Sequence, residues 1–113
     1  LQWLEPNGKI IFHDCNPKSQ QAAEPQFPTT PLNWNGDVWK TIKHFRSLSD
    51  YFECVTVDAD QGLGVLSLKN DINPMILSLL KPNKEISKLP YKFLDDNRND
   101  ILGITNPKDY TEL

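Results

Sequence analysis

Cysteines, basic clusters and long apolar runs are all scarce in this sequence. Two cysteines, Cys15 and Cys54, occur in 113 residues. They are too few for a disulfide framework and lack C-x-x-C spacing, so both read as reduced thiols of a cytoplasmic protein. No block of Lys and Arg is long enough to track a phosphate backbone, and the formal net charge is −3. Nucleic acid is therefore not the expected partner. No run approaches the roughly 18 apolar residues of a membrane span, and no signal peptide is visible, so no membrane partner is expected. A phosphate-cradling G-x-G-x-x-G loop is missing too. Gly62-Leu63-Gly64 falls at a predicted hairpin and no helix follows it. Hydrophobic residues make up 38% of the chain. That is low for a compact domain, and the length suits one small domain with one core.

The most informative segment is Gly8-Lys9-Ile10-Ile11-Phe12-His13-Asp14-Cys15-Asn16-Pro17. Residues 9–12 read as a short buried strand after an Asn7-Gly8 turn. A His, an Asp and a Cys follow at its carboxyl end, and Asn16-Pro17 breaks the strand. In open α/β sheets that end is where ligands bind. Ahead of it, Leu1-Gln2-Trp3-Leu4 has the character of a last helical turn stopped by Glu5-Pro6-Asn7-Gly8. The chain is therefore expected to be part of a longer gene product.

Residues 18–35 contain Pro25, Pro28 and Pro31 and show no periodicity, which predicts a long loop. Asn35-Gly36-Asp37 then opens a helix with Asp37 as N-cap and an apolar stripe of Val38, Ile42, Phe45 and Leu48. His44, Lys40, Lys43 and Arg46 are expected on its solvated face. Residues 51–58 and 63–68 read as two strands around the turn Asp58-Ala59-Asp60-Gln61-Gly62, with Cys54 in the core. Asn73-Pro74 opens a short apolar helix over 75–80, and 81–88 reads as loop. One helix is predicted over 90–102, with Tyr91, Leu94, Arg98 and Ile101 on one side and Gly103 just past its end. Asn106-Pro107 is expected to start a final turn.

Three of these segments, in this order, resemble class I S-adenosylmethionine-dependent methyltransferases. Leu4-Glu5-Pro6-Asn7-Gly8 followed by Lys9 to Cys15 looks like the entry into that family's strand five, with Asn7 replacing a glycine. Gly36-Asp37-Val38-Trp39-Lys40 and Val57 to Val65 are similar to later segments of a bacterial group whose strand five ends in His-Asp-Cys. Tyr91, Leu94, Asn97-Arg98 and Ile101-Leu102 fit a recurring pattern in its tail. The resemblance implies an α/β fold that is the C-terminal portion of a Rossmann-like sheet. It would hold strands five and six with an antiparallel strand seven between them. Residues 1–69 would form that half-domain, and 70–113 a helical tail packed on it. It also implies S-adenosylmethionine as cofactor, in a pocket mostly outside this chain, and O-methylation of a small molecule such as a sugar or secondary metabolite in the intact protein. This chain alone is then expected to be inactive. The alternative is a non-catalytic binding or assembly module, attached for instance to a glycosyltransferase, or a homo-oligomer formed through an exposed sheet edge.

Metal-dependent members place an Asp and an Asn at the end of strand five, where both bind Mg²⁺. Asp14 matches the Asp and is the candidate metal ligand. Cys15 stands where Asn would be, and a thiol is a poor Mg²⁺ ligand. His13 is the candidate general base, because an imidazole near neutral pKa suits proton removal from a hydroxyl. Its alternative is a purely local hydrogen bond. A hydrolytic triad of His13, Asp14 and Cys15 is implausible, since neighbouring strand residues point to opposite faces. A zinc set of His13, Cys15 and His44 fits no standard spacing. Asp37 and Trp34 are the candidate substrate contacts, against the simpler roles of N-cap and packing.

Overall fold

The computed structural model describes residues 4, 5, 7–25, 35–69 and 74–110. Trp34, Asn73, Pro28, Pro31 and the first three residues of the expected helical turn at the start of the chain lie outside the described residues. Among the described residues, four strands form one mixed sheet in the order β1-β3-β2-β4. Strand β1 is Lys9–Phe12, β2 is Phe52–Val57, β3 is Leu63–Leu68 and β4 is Ile104–Thr105. Central β3 runs antiparallel to both neighbours. Its register pairs Ile11 with Val65 in β1 and sets Val55 opposite the same Val65 in β2. The short β4 is parallel to β2, pairing Thr56 with Ile104. The chain is thus an α/β fold.

Helix α1, Val38–Ser47, crosses from β1 to β2 and buries Trp39 and Ile42. They join Phe52, Cys54 and Leu66 from the sheet in one core. Phe45 meets Phe52 edge to face at 5.0 Å between ring centroids, a favoured aromatic geometry. Asp37 sits at the N-cap position, but its side chain makes no cap hydrogen bond. Its backbone is at φ −109 and ψ 26, outside the extended conformation that lets an N-cap side chain fold back on the first turn.

The segment after β3 carries helices α2, Pro74–Leu79, α3, Lys84–Ser87, α4, Tyr91–Asp96, and α5, Arg98–Leu102. The helix α3 stands where a loop is predicted, started by the Asn83 side chain accepting from Ile86 N. The single helix predicted over 90–102 is broken at Asn97, whose φ of −132 leaves the helical range. Leu94, Ile101 and Leu102 still face the core. Gly103 ends α5 in the left-handed conformation at φ 59, and a side chain there would also collide with the Arg46 guanidinium.

Two expectations change. Residues 9–12 are not fully buried: β1 is a sheet edge among the described residues, and Ile11 is 54% exposed while Ile10 and Phe12 pack on the core. The face of α1 expected in solvent is partly engaged. Arg46 Nη1 donates to Cys54 O at 2.6 Å, and Lys40 Nζ donates to Ser87 O at 2.9 Å. No helix among the described residues is long and apolar enough to cross a membrane.

Candidate functional site

The carboxyl end of β1 is clamped by the turn that joins β2 to β3. Cys15 N donates to Gly62 O at 3.0 Å and Asn16 N to Gln61 O at 2.9 Å. Gly62 makes that approach possible. Its φ is 91, and a Cβ there would lie 2.6 Å from Asn16 N. The clamp brings two sequence-distant carboxylates to the imidazole of His13. Its Nδ1 is 2.9 Å from Asp14 Oδ1, and its Nε2 is 2.7 Å from Asp60 Oδ2. Both nitrogens are best satisfied when both carry protons. The hydrogen bond to Asp60, then that to Asp14, therefore raises the His13 pKa above its ordinary value of 6.5.

The network continues inward. Asn35 is buried and donates its Nδ2 to Asp14 Oδ1 at 3.3 Å and to Gln61 Oε1 at 2.6 Å. Its backbone is tied to the described start of the long loop through Asn35 N to Ala22 O at 2.7 Å. Asn16 is also buried, and its Oδ1 accepts from Arg98 Nη1 at 2.6 Å. Among the described residues, the non-glycine residues at positive φ are Asp14 at 61, Asp60 at 45 and Gln61 at 64. All three belong to this cluster. Such conformations cost of order 1–3 kcal/mol each and gather at functional sites.

Beside the cluster lies a cavity of about 440 Å³, lined by Asn16, Lys18, Ser19, Gln21, Asn35 and Gln61 among others. That volume suits a small molecule. Asp37 lines a different cavity, between α1 and the α2–α3 region. The structure thus brings His13 and Asp14 together and leaves Asp37 apart from them. Trp34 lies outside the described residues.

Cys15 and Cys54 are core residues. The Cys15 thiol points back at Phe12 O, 3.4 Å away, and burial pushes its pKa up to about 11. Burial pushes Cys54 up to about 12. Neither is a thiolate at neutral pH, so neither is poised as nucleophile or metal ligand. Among the described residues, no group of three His, Cys, Asp or Glu side chains is arranged to hold a metal ion. Asp14 Oδ1 already meets the His13 imidazole and the Asn35 amide nitrogen, so Mg²⁺ binding there would have to displace both donors.

Asp60, Gln61 and Asn35 are the site residues that sequence reasoning missed. Asp60-Gln61-Gly62 carried only a turn signal, and Asn35 read as a helix approach. Compared with known proteins, the chain matches no family model, no curated protein and no solved structure.

Proposed function

We propose that this chain is the C-terminal part of an S-adenosylmethionine-dependent methyltransferase that methylates a hydroxyl of a small molecule, such as a sugar or a secondary metabolite. The observation that carries the reading is the His13–Asp14 pair at the carboxyl end of β1, beside a cavity lined by several amide side chains. The antiparallel β3 between β1 and β2 also supports it, since that is the order the resemblance implies. The described residues hold no glycine-rich strand-to-helix loop, so the cofactor's main contacts are assigned outside this chain. When bound, S-adenosylmethionine would supply a methyl group activated by its sulfonium.

The chain's own part is to hold the acceptor and remove its proton. Asp14 accepts from Nδ1 and fixes the ring, which leaves Nε2 as the basic atom. Asp60 Oδ2 lies 2.7 Å from Nε2, but its side chain is 70% exposed on a turn. When the ring is neutral with its proton on Nδ1, an incoming hydroxyl can take the place of Asp60, and its proton would pass to Nε2 as the oxygen accepts the methyl group. No step is routed through a metal.

Labelled S-adenosylmethionine with a panel of hydroxylated acceptors, assayed on the whole gene product, tests the reading. His13→Ala should lower transfer by about 10²–10⁴-fold, the usual worth of a general base. Unchanged transfer removes His13 from the mechanism. One observation favours a second reading, an assembly module. The exposed Ile11 on edge strand β1 is a surface that strand pairing would cover. Calorimetry of the whole gene product with S-adenosylmethionine separates the two, since a module would not bind it.

A further inference from the structure

The internal hydrogen bonds of the cavity determine which way its carboxamides face, and that defines the ligand. Arg98 can only donate, so the Asn16 atom it touches at 2.6 Å is the oxygen. The Nδ2 of Asn16 is left as a donor. Asp14, as a carboxylate, can only accept, so the Asn35 atom facing it is the nitrogen. That same nitrogen donates to Gln61, which must therefore present its oxygen and keep Nε2 as a donor. Among the described residues, neither Asn16 Nδ2, Gln61 Nε2 nor Asn35 Oδ1 takes a further partner. Ser19 Oγ accepts from Ala22 N at 3.1 Å, so its hydroxyl hydrogen remains to donate. Lys18 adds a cation, and among the described residues the cavity lining has no carboxylate.

The cavity therefore offers the oriented amide donors of Asn16 and Gln61, the acceptor Asn35 Oδ1, the Gln21 carboxamide with both functions, and one positive charge. Asn16 and Asn35 are buried residues, and a neutral apolar ligand would cover Asn16 Nδ2 and Asn35 Oδ1 without pairing them, which carries a desolvation cost. A polyol pairs with both the donors and Asn35 Oδ1, and an anionic group pairs with Lys18. We infer that this cavity binds a hydroxylated small molecule carrying an anionic group, a sugar phosphate or a sugar acid. The inference rests on the reading of this site as an acceptor pocket and names the acceptor's class.

The test uses the whole gene product without S-adenosylmethionine, so its outcome is independent of whether methyl transfer is found. Glucose 6-phosphate and glucuronate are the probes, with glucose and inorganic phosphate as controls. Calorimetry and the side-chain amide signals in ¹⁵N–¹H spectra are the readouts. At least one probe should bind about tenfold more tightly than both controls. It should move the Asn16 and Gln61 amide signals and leave that of Asn106 in place. The two probes separate phosphate from carboxylate recognition. Asn16→Asp and Gln61→Glu keep the internal acceptor oxygens and replace only the free donors. Each should weaken binding by about tenfold while the chain stays folded. Lys18→Gln should bring the better probe close to glucose. Failure of both probes to bind overturns the inference. So does a control that binds as well as the probes, or full binding by both carboxamide variants. If binding holds but the whole gene product transfers no methyl group, the ligand class stands and the methyltransferase reading falls.

Discussion

The carboxylates that raise the basicity of His13 also favour the charge its proposed task cannot use. Both stabilise the imidazolium form, and a base must be neutral to accept a proton. With the pKa raised above 6.5, activity that depends on His13 should climb as pH rises through that raised value. Stability has the opposite sign. The unfolded chain's imidazole titrates near 6.5, so the cluster's contribution is complete below that pH and is lost as pH rises through the higher folded value. Asp60 is the larger cause of the shift. Asp60→Asn should therefore lower the His13 pKa, leaving Asp14 alone to hold it up. An NMR titration of the imidazole reads this directly, and an unmoved midpoint would show that Asp60 does not hold the ring. The same variant should move the alkaline rise of methyl transfer to lower pH.

At the scale of elements, the turn between β2 and β3 joins sheet and site. Its residues accept from Cys15 N and Asn16 N and also supply Asp60 and Gln61. Gly62→Ala tests that coupling. The new Cβ would press on Asn16 from a φ of 91, and about 2 kcal/mol of stability should be lost in urea denaturation. The Asn16 amide signal should shift with it. A neutral substitution would mean that the turn does not abut the end of β1. The elements that could be read from the sequence are those whose signals are local. Residues 9–12, α1, β2 and β3 all announced themselves through apolar spacing or β-branched runs. Others depend on partners elsewhere. The two residues of β4 exist as a strand only because Thr56 and Val57 pair with them. Helix α3 is too short and polar for a periodic signal and rests on one Asn83 cap. The site divided in the same way. His13 and Asp14 stood out as a cluster at a strand end, whereas Asp60 lies 47 residues from His13 and Asn35 lies 21 from Asp14. Only the folded turn brings them in.

At the scale of the whole molecule, the site is held from the far end of the chain. Arg98, 82 residues from Asn16, reaches the strand end from the start of α5. Its Nη1 donates to Asn16 Oδ1 and to Pro17 O, each at 2.6 Å. Its Nη2 donates to Tyr91 OH at 2.9 Å and to Asp95 Oδ1 at 3.0 Å. One planar fork thus ties α4, α5 and the end of β1 together, and its side chain is only 19% exposed. A lysine keeps the charge but has one nitrogen on a flexible stem, so it cannot reproduce the fork. Arg98→Lys should cost about 2–3 kcal/mol in urea denaturation, as expected for losing charged hydrogen bonds from a largely buried donor. It should also free Asn16 to rotate. Its amide signal should then broaden or move, and binding of the anionic sugar should weaken even where the chain is fully folded. A variant within about 0.5 kcal/mol of the parent, the range of an ordinary surface change, with the Asn16 signal unmoved, would show that the tail packs on the domain without organising its site.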